Sequence, residues 1–246
     1  MNVGVLLAAG ASSRMGSPKA LVMHKGQSFL VHGVRHLWIA CDVVIVVLGS
    51  NAKTIRAAIE QEFAVLVEAG ALTPDLHAAR KHGARGLEVR FETNAAWKKG
   101  MLSSAVVGLS AALKLRAESI LVLPVDHPHV RSETVAELAA LMGQALKAFG
   151  GAKPAKAAMA AKAAKGAKVA KVAAPGFAYA LVPRSQKRRG HPVALTPALA
   201  RAIVRDKGAE HLGDAIRRNA RLIGYADVAD KGVVVNQNTP AGTRKQ

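Results

Sequence analysis

The chain has 246 residues, half of them hydrophobic, which is enough for a sizeable buried core, and one α/β domain spanning 1–246 is the economical organisation. The single cysteine, Cys41, excludes an internal disulfide. No apolar run approaches the roughly 18 residues of a membrane span and no charged segment precedes an apolar leader, so a cytoplasmic protein without a membrane partner is expected. The formal charge of +19 raises polyanions as partners, while an aromatic content of 4% argues against a base-stacking nucleic-acid surface.

In chain order, an apolar run from Val3 to Ala8 breaks at Ala9-Gly10 into Ala11-Ser12-Ser13-Arg14-Met15-Gly16-Ser17-Pro18-Lys19. A buried strand that opens into small residues presents backbone N–H groups to a polyanion, and Arg14 and Lys19 add fixed positive charge. Glycine and alanine matter there because larger side chains would hold the backbone away from phosphate oxygens. Two familiar phosphate loops are excluded by spacing. Gly16 is followed by Ser17-Pro18-Lys19 rather than by Lys-Ser or Lys-Thr, and Gly-x-Gly-x-x-Gly is absent.

Further apolar runs at Val43–Leu48, Leu87–Phe91, Ile120–Leu123 and Ala178–Val182 predict strands. Apolar spacings of three and four predict helices over Phe29–Ile39, Lys53–Ala69, Ser103–Arg116 and Ser132–Phe149. The alternation predicts a mostly parallel sheet covered by helices on both faces, with any ligand at the carboxyl edge where the strand order reverses. The stretch from Leu72 to Gly86, with His77 and His82, is a long connection that carries no chemical signal of its own.

Ile120–Leu123 runs into Pro124-Val125-Asp126-His127-Pro128, a carboxylate between two prolines at a strand end. Prolines restrict the backbone on each side and fix the direction of the carboxylate, which suits a Mg²⁺ that also holds substrate phosphates. Ser132 is the expected cap of the following helix, which leaves Asp126 free for that task. Asn94 begins a loop that reaches Ser103 and Ser104 near a helix start, where hydroxyls and backbone donors can hold an anion, and Trp97 within it reads as a residue between surface and core. Residues 150–175 form an Ala/Lys/Gly tract with six lysines and no acidic residue. The tract is expected to be a flexible insertion with, at most, weak polyanion binding. Two later loops, Gly190-His191-Pro192 and Asn236-Gln237-Asn238-Thr239-Pro240, are polar turns, the second with amides that could also face a metal.

Leu7-Ala8-Ala9-Gly10 through Arg14 to Lys19 closely resembles the N-terminal signature of the molybdenum cofactor nucleotidyltransferases. The resemblance continues at Asn94-x-x-Trp97-x-x-Gly100-Met101-x-Ser103-Ser104, Pro124-Val125-Asp126-His127-Pro128, Gly190-His191-Pro192 and Asn236-x-Asn238-Thr239-Pro240. It implies a Rossmann-like three-layer fold that couples an NTP to a phosphorylated acceptor of the molybdopterin type and releases pyrophosphate. It further implies that Leu7, Ala8, Ala9, Gly10, Arg14, Lys19, Asn94, Ser103 and Ser104 bind the NTP. Lys19, Arg14 and Asp126 would be catalytic, Gly190 and His191 would face the acceptor, and Asp126 with Asn236 would hold Mg²⁺. Ala9 is similar to the cytidylyltransferase version of the loop, whereas Asn236-x-Asn238 resembles the guanylyltransferase version. CTP is therefore favoured with GTP as the competitor. The alternatives are a sugar- or polyol-phosphate nucleotidyltransferase and a catalytically weak nucleotide- or nucleic-acid-binding protein.

Overall fold

The computed structural model describes residues 1–10, 18–69, 88–151 and 177–237. Arg14, His77, His82, Asn238 and residues 152–175 of the basic tract lie outside the described residues. The strands that position the site are β1 (Asn2–Ala8), β4 (Val43–Leu48), β5 (Glu88–Thr93) and β6 (Ser119–Pro124), following a short hairpin of β2 (Met23–His24) and β3 (Gln27–Ser28). Beyond them come β7 (Tyr179–Ser185), β8 (Arg188–Arg189), β9 (Val193–Leu195) and β10 (Leu222–Asp227). The helices are α1 (Phe29–Trp38), α2 (Ala52–Glu68), α3 (Met101–Lys114), α4 (Ser132–Gly151), α5 (Pro197–Arg205) and α6 (Leu212–Asn219).

The main sheet has eight strands, seven of them in the order β10-β7-β9-β6-β1-β4-β5 and β8 paired to β7. The pairs β1–β4, β1–β6, β4–β5 and β7–β10 are parallel, while β9 runs antiparallel to both β6 and β7. The mostly parallel expectation holds, with β9 as an antiparallel insert and β8 antiparallel to β7. At three residues β9 is too short for its apolar run to announce a strand, and its place is set by its neighbours on both sides.

Alternate residues of each central strand point to opposite faces, and both faces are buried. Leu6, Ala8, Val44, Val46, Leu121 and Leu123 join one core, in which α1, α2 and α4 take part. Val3, Val5, Leu7, Ile45, Ile120 and Val122 join the other, covered by α3, α5 and α6. This is the physical content of a three-layer α/β fold: period two in the strands, with helices on each side. The edge strand β5 departs from the pattern, because only one neighbour covers it and Glu88 and Arg90 pair with each other at 2.6 Å on its exposed side.

Element ends differ from the sequence expectations by a few residues, with identifiable causes. Helix α3 begins at Met101 rather than Ser103 because Gly100, at φ 93°, turns the chain into the helix. Helix α4 extends to Gly151, past the expected end at Phe149. Its start corrects the expectation that Ser132 is the cap. Asp230, far along the chain, accepts hydrogen bonds from the Arg131 N–H at 2.8 Å and the Thr134 hydroxyl at 2.9 Å, and the Ser132 hydroxyl instead meets His36 Nδ1 at 3.1 Å. A carboxylate at a helix N-terminus satisfies donors that have no intrahelical partner and complements the helix dipole.

Candidate active site

Strand β1 lies between β4 and β6, the place where the chain's strand order reverses, so the carboxyl ends of β1 and β6 open a crevice. The two ends are laced together past the ladder by a 3.0 Å hydrogen bond from the Val125 N–H to the Leu7 carbonyl. A cleft of about 300 Å³ opens here, lined by Leu7, Ala8, Ala9 and Gly10 from β1 and its loop and by Asp126 from the end of β6. Lys19 enters from the single 3₁₀ turn Lys19–Leu21, and its ammonium stands 3.5 Å from Asp126 Oδ2. Each side chain keeps 21% of its surface exposed, so the pair faces the cleft rather than the core.

The Asp126 carbonyl accepts a 2.8 Å hydrogen bond from the Gln237 N–H, which returns the C-terminal segment to the site and sets exposed Asn236 beside Asp126 in the chain path. Asp126 offers one carboxylate to the cleft, Asn236 is not among the cleft walls, and among the described residues no cluster of three His, Cys, Asp or Glu side chains could hold a metal. That chemistry fits Mg²⁺, which keeps waters and takes substrate phosphates as its remaining ligands, better than a metal that needs an all-protein cage.

Asn94 and the two serines are brought together, but largely for each other. The buried Asn94 amide donates to Ser103 Oγ at 2.8 Å and Ser104 Oγ at 3.0 Å, and its carbonyl accepts from the Ala96 N–H at 2.9 Å. The Ser103 hydroxyl also faces the Gly100 and Ala96 carbonyls at 2.8 and 3.1 Å. This network pins the loop that carries Trp97. Of the three, Ser104 lines the cleft. Trp97 and Lys98 line it as well, and sequence reasoning placed neither among the site residues. The signal available was position: both stand between Asn94 and Gly100, inside a segment already marked for ligand binding. Trp97 packs where Gly49 follows β4, since a Cβ on Gly49 would come within 2.6 Å of Trp97 Cβ and 2.5 Å of the Ala9 carbonyl.

A second cavity of about 180 Å³ adjoins the first through Met101, which lines both. Arg189, Gly190, His191, Arg217 and Tyr225 are among its walls. Arg189 and Arg184 lie over the Tyr225 ring at 5.2 and 4.7 Å, and Arg184 is held by Asp227 at 2.7 Å. Gly190 is required for a reason other than ligand contact: a Cβ there would overlap the Val233 backbone carbonyl. The ring of His191 lies 5.0 Å from that of His127, and the His191–Pro192 peptide bond is cis. Burial holds His127 below the usual imidazole range despite the adjacent Asp126 charge, and pushes His191 down to about 4. Both rings therefore stand neutral behind the Asp126 carboxylate at neutral pH.

The sequence profile of the MobA-like NTP transferase domain matches residues 4–222. The chain belongs to this family. Among curated relatives it is 54% identical over 52 residues, 20% of this chain, to a probable molybdenum cofactor guanylyltransferase of Rhodopirellula baltica. It is also 31% identical over 137 residues, 55% of this chain, to nicotine blue oxidoreductase of Paenarthrobacter nicotinovorans. The matched stretches span only 25% and 54% of those relatives' own lengths. In fold it is similar to a nucleotidyl transferase from Methanothermobacter thermautotroptrophicus, with a TM-score of 0.59 at 18% identity, covering 97% of this chain and 92% of that one. No helix among the described residues of this family member is long and apolar enough to cross a membrane.

Proposed function

We propose that this MobA-like enzyme transfers a nucleotidyl group from an NTP to a phosphorylated acceptor of the molybdopterin type, with release of pyrophosphate. The observation that carries this reading is the Lys19–Asp126 pair at 3.5 Å, a cation and a carboxylate facing one cleft at the switch point of the sheet. An acceptor phosphate oxygen attacks the α-phosphorus, a new P–O bond forms, and the bond to the β-phosphate oxygen breaks. Lys19 neutralises charge that develops on the triphosphate, and Arg14 is assigned the same task. The backbone N–H groups of Ala9 and Gly10 hold phosphate oxygens in place, a preorganised arrangement that needs no covalent nucleophile. Mg²⁺ held by Asp126 and Asn236 would supply charge neutralisation across the phosphates. Asn94 and Ser103 support the NTP site by shaping its loop, and Ser104 faces the nucleotide.

Gly190 and His191 belong to the cavity that receives the acceptor, where Arg189 and Arg217 offer charge to a phosphate. The nucleotide is CTP or GTP. Ala9 favours the former, and Asn236 together with the guanylyltransferase relative favours the latter. Incubation with Mg²⁺, each of the four NTPs and a molybdopterin-type acceptor, with pyrophosphate as the readout, tests base and acceptor together. Pyrophosphate with CTP or GTP supports the proposal, and none with any NTP overturns it. The relative named nicotine blue oxidoreductase supports a second reading, an oxidoreductase acting on a small molecule in the same cleft. Consumption of NADH or NADPH in the absence of any pyrophosphate release would favour it. The lysines of 150–175 serve at most an accessory polyanion contact, which deletion of that tract separates from transfer. The cytoplasm is the proposed location.

A further inference from the structure

Building on the nucleotidyltransferase reading, we propose that Trp97 is the platform on which the nucleobase stacks, at the end of the cleft away from Asp126. Trp97 is the one aromatic side chain among the described residues that line the cleft, whose other walls are aliphatic, glycine, lysine, serine and the Asp126 carboxylate. The strand order sets the polarity of this cleft. Asp126 follows β6, Ala9 and Gly10 follow β1, and Trp97 packs against Gly49, which follows β4. With strands about 4.8 Å apart, the charged end and the indole are separated by two strand spacings, about 10 Å. A nucleoside triphosphate has the same polarity, with anionic phosphates at one end and a flat ring at the other, joined by the ribose.

The indole is also built to receive a ring. Its loop is fixed by the Asn94 hydrogen bonds to Ser103, Ser104 and Ala96, so the platform is ordered before a ligand arrives. It is half-buried, and the ammonium of the exposed Lys98 lies over the ring 5.7 Å from its centroid, so that face is covered by a surface side chain rather than packed into the core. Stacking on an aromatic face accepts every base, because every base has a π-face. Trp97 therefore supplies affinity, and the choice between cytosine and guanine is made at the edges of the base by other groups of the cleft.

The chain has two tryptophans, and Trp38 is buried with 4% of its surface exposed, so fluorescence changes on filling the cleft report on Trp97. The test titrates the full chain, with Mg²⁺ present, with CTP, GTP and inorganic tripolyphosphate, following tryptophan emission alongside calorimetry. The nucleotides should quench emission, and tripolyphosphate should bind without quenching. Trp97→Ala should abolish the quench and weaken CTP and GTP by similar factors, about five- to a hundredfold, with tripolyphosphate binding unchanged. Trp97→Phe should restore nucleotide binding to within a few-fold. Unaltered nucleotide affinity in Trp97→Ala, with circular dichroism showing a folded protein, overturns the platform while leaving the transferase reading intact. Failure of the wild-type chain to bind CTP, GTP and tripolyphosphate alike overturns both.

Discussion

The Lys19 ammonium stands 3.5 Å from Asp126 Oδ2, joining residues 107 positions apart in the chain across the crevice between β1 and β6. Before nucleotide binds, each is the other's counter-charge, so a divalent cation reaching Asp126 competes with Lys19. Under the proposed function, a triphosphate would offer Lys19 a better partner and leave the carboxylate to the metal. Lys19→Met should therefore lower pyrophosphate release on the order of a hundredfold or more, the usual cost of one fixed electrostatic group. The same variant should bind Mn²⁺ alone severalfold more tightly than wild type, read from the electron paramagnetic resonance signal of free Mn²⁺. Equal or weaker Mn²⁺ binding in the variant would show that the pair does not guard the metal seat.

Asn94 supports the loop that carries Trp97. It is buried, and three of its hydrogen bonds go to Ser103, Ser104 and Ala96. Asn94→Ala should destabilise the protein by about 2 to 3 kcal/mol, since it removes those bonds and leaves the Ala96 N–H without its acceptor. Urea denaturation measures the loss. A nucleotide KM that rises while the folded fraction stays full would report the loosened loop, and wild-type stability would refute this account of Asn94.

Asp230 caps α4 from outside the helix and also accepts from the Gly232 N–H at 2.8 Å. Asp230→Ala should cost about 1 to 3 kcal/mol, by the loss of a charged cap and of a buried hydrogen-bond acceptor. Asp230→Asn should recover part of it, because an amide oxygen still accepts. Thermal melts of the two variants, compared with a Ser132→Ala control, separate this tertiary cap from the local one expected from sequence.

Among the histidines that burial shifts downward, His36 and His191 contribute most clearly to a pH dependence of stability, and His127 and His24 act in the same direction. His36 and His191 are each pushed down to about 4 by burial, and His36 is fixed between the Ser132 hydroxyl and the Pro128 carbonyl. Unfolding frees both to titrate near 6.5, so between about pH 6.5 and 4 the unfolded chain binds more protons than the native one. Stability should thus fall as pH drops through that window, with a slope of at most about 1.4 kcal/mol per pH unit for each group. Denaturant midpoints from pH 7 to 4.5 check this. His36→Gln should flatten the slope by roughly half of the part owed to the two, and an unchanged slope would assign the dependence to other groups.

Much of the molecule was legible because it rests on local periodicity. Val3–Ala8 and Val43–Leu48 announce strands buried on both faces, and the alternation of strands with helical spacings announces the parallel sheet. Gly190 was legible as special, but one of its constraints was not: the Val233 backbone leaves no room for a side chain there, and Val233 belongs to a segment 43 residues later. The short elements were not legible. Strand β9 and helices α5 and α6 have three, nine and eight residues, too few for a period to stand out, and packing against β6, β7 and α3 decides them.

What the sequence determined by itself is the set of chemical groups and the local turns that present them: a small-residue loop after an apolar strand, a lysine beyond a proline, and an aspartate at a strand end between prolines. These follow from backbone sterics and from residue chemistry, which act over a few positions. The tertiary structure alone decided which groups meet. It paired Lys19 with Asp126, assigned the α4 cap to Asp230 rather than Ser132, and turned Trp97 from a residue between surface and core into a wall of the cleft. Those outcomes depend on strand order, and strand order is set by burying both faces of one sheet under helices far apart in the chain.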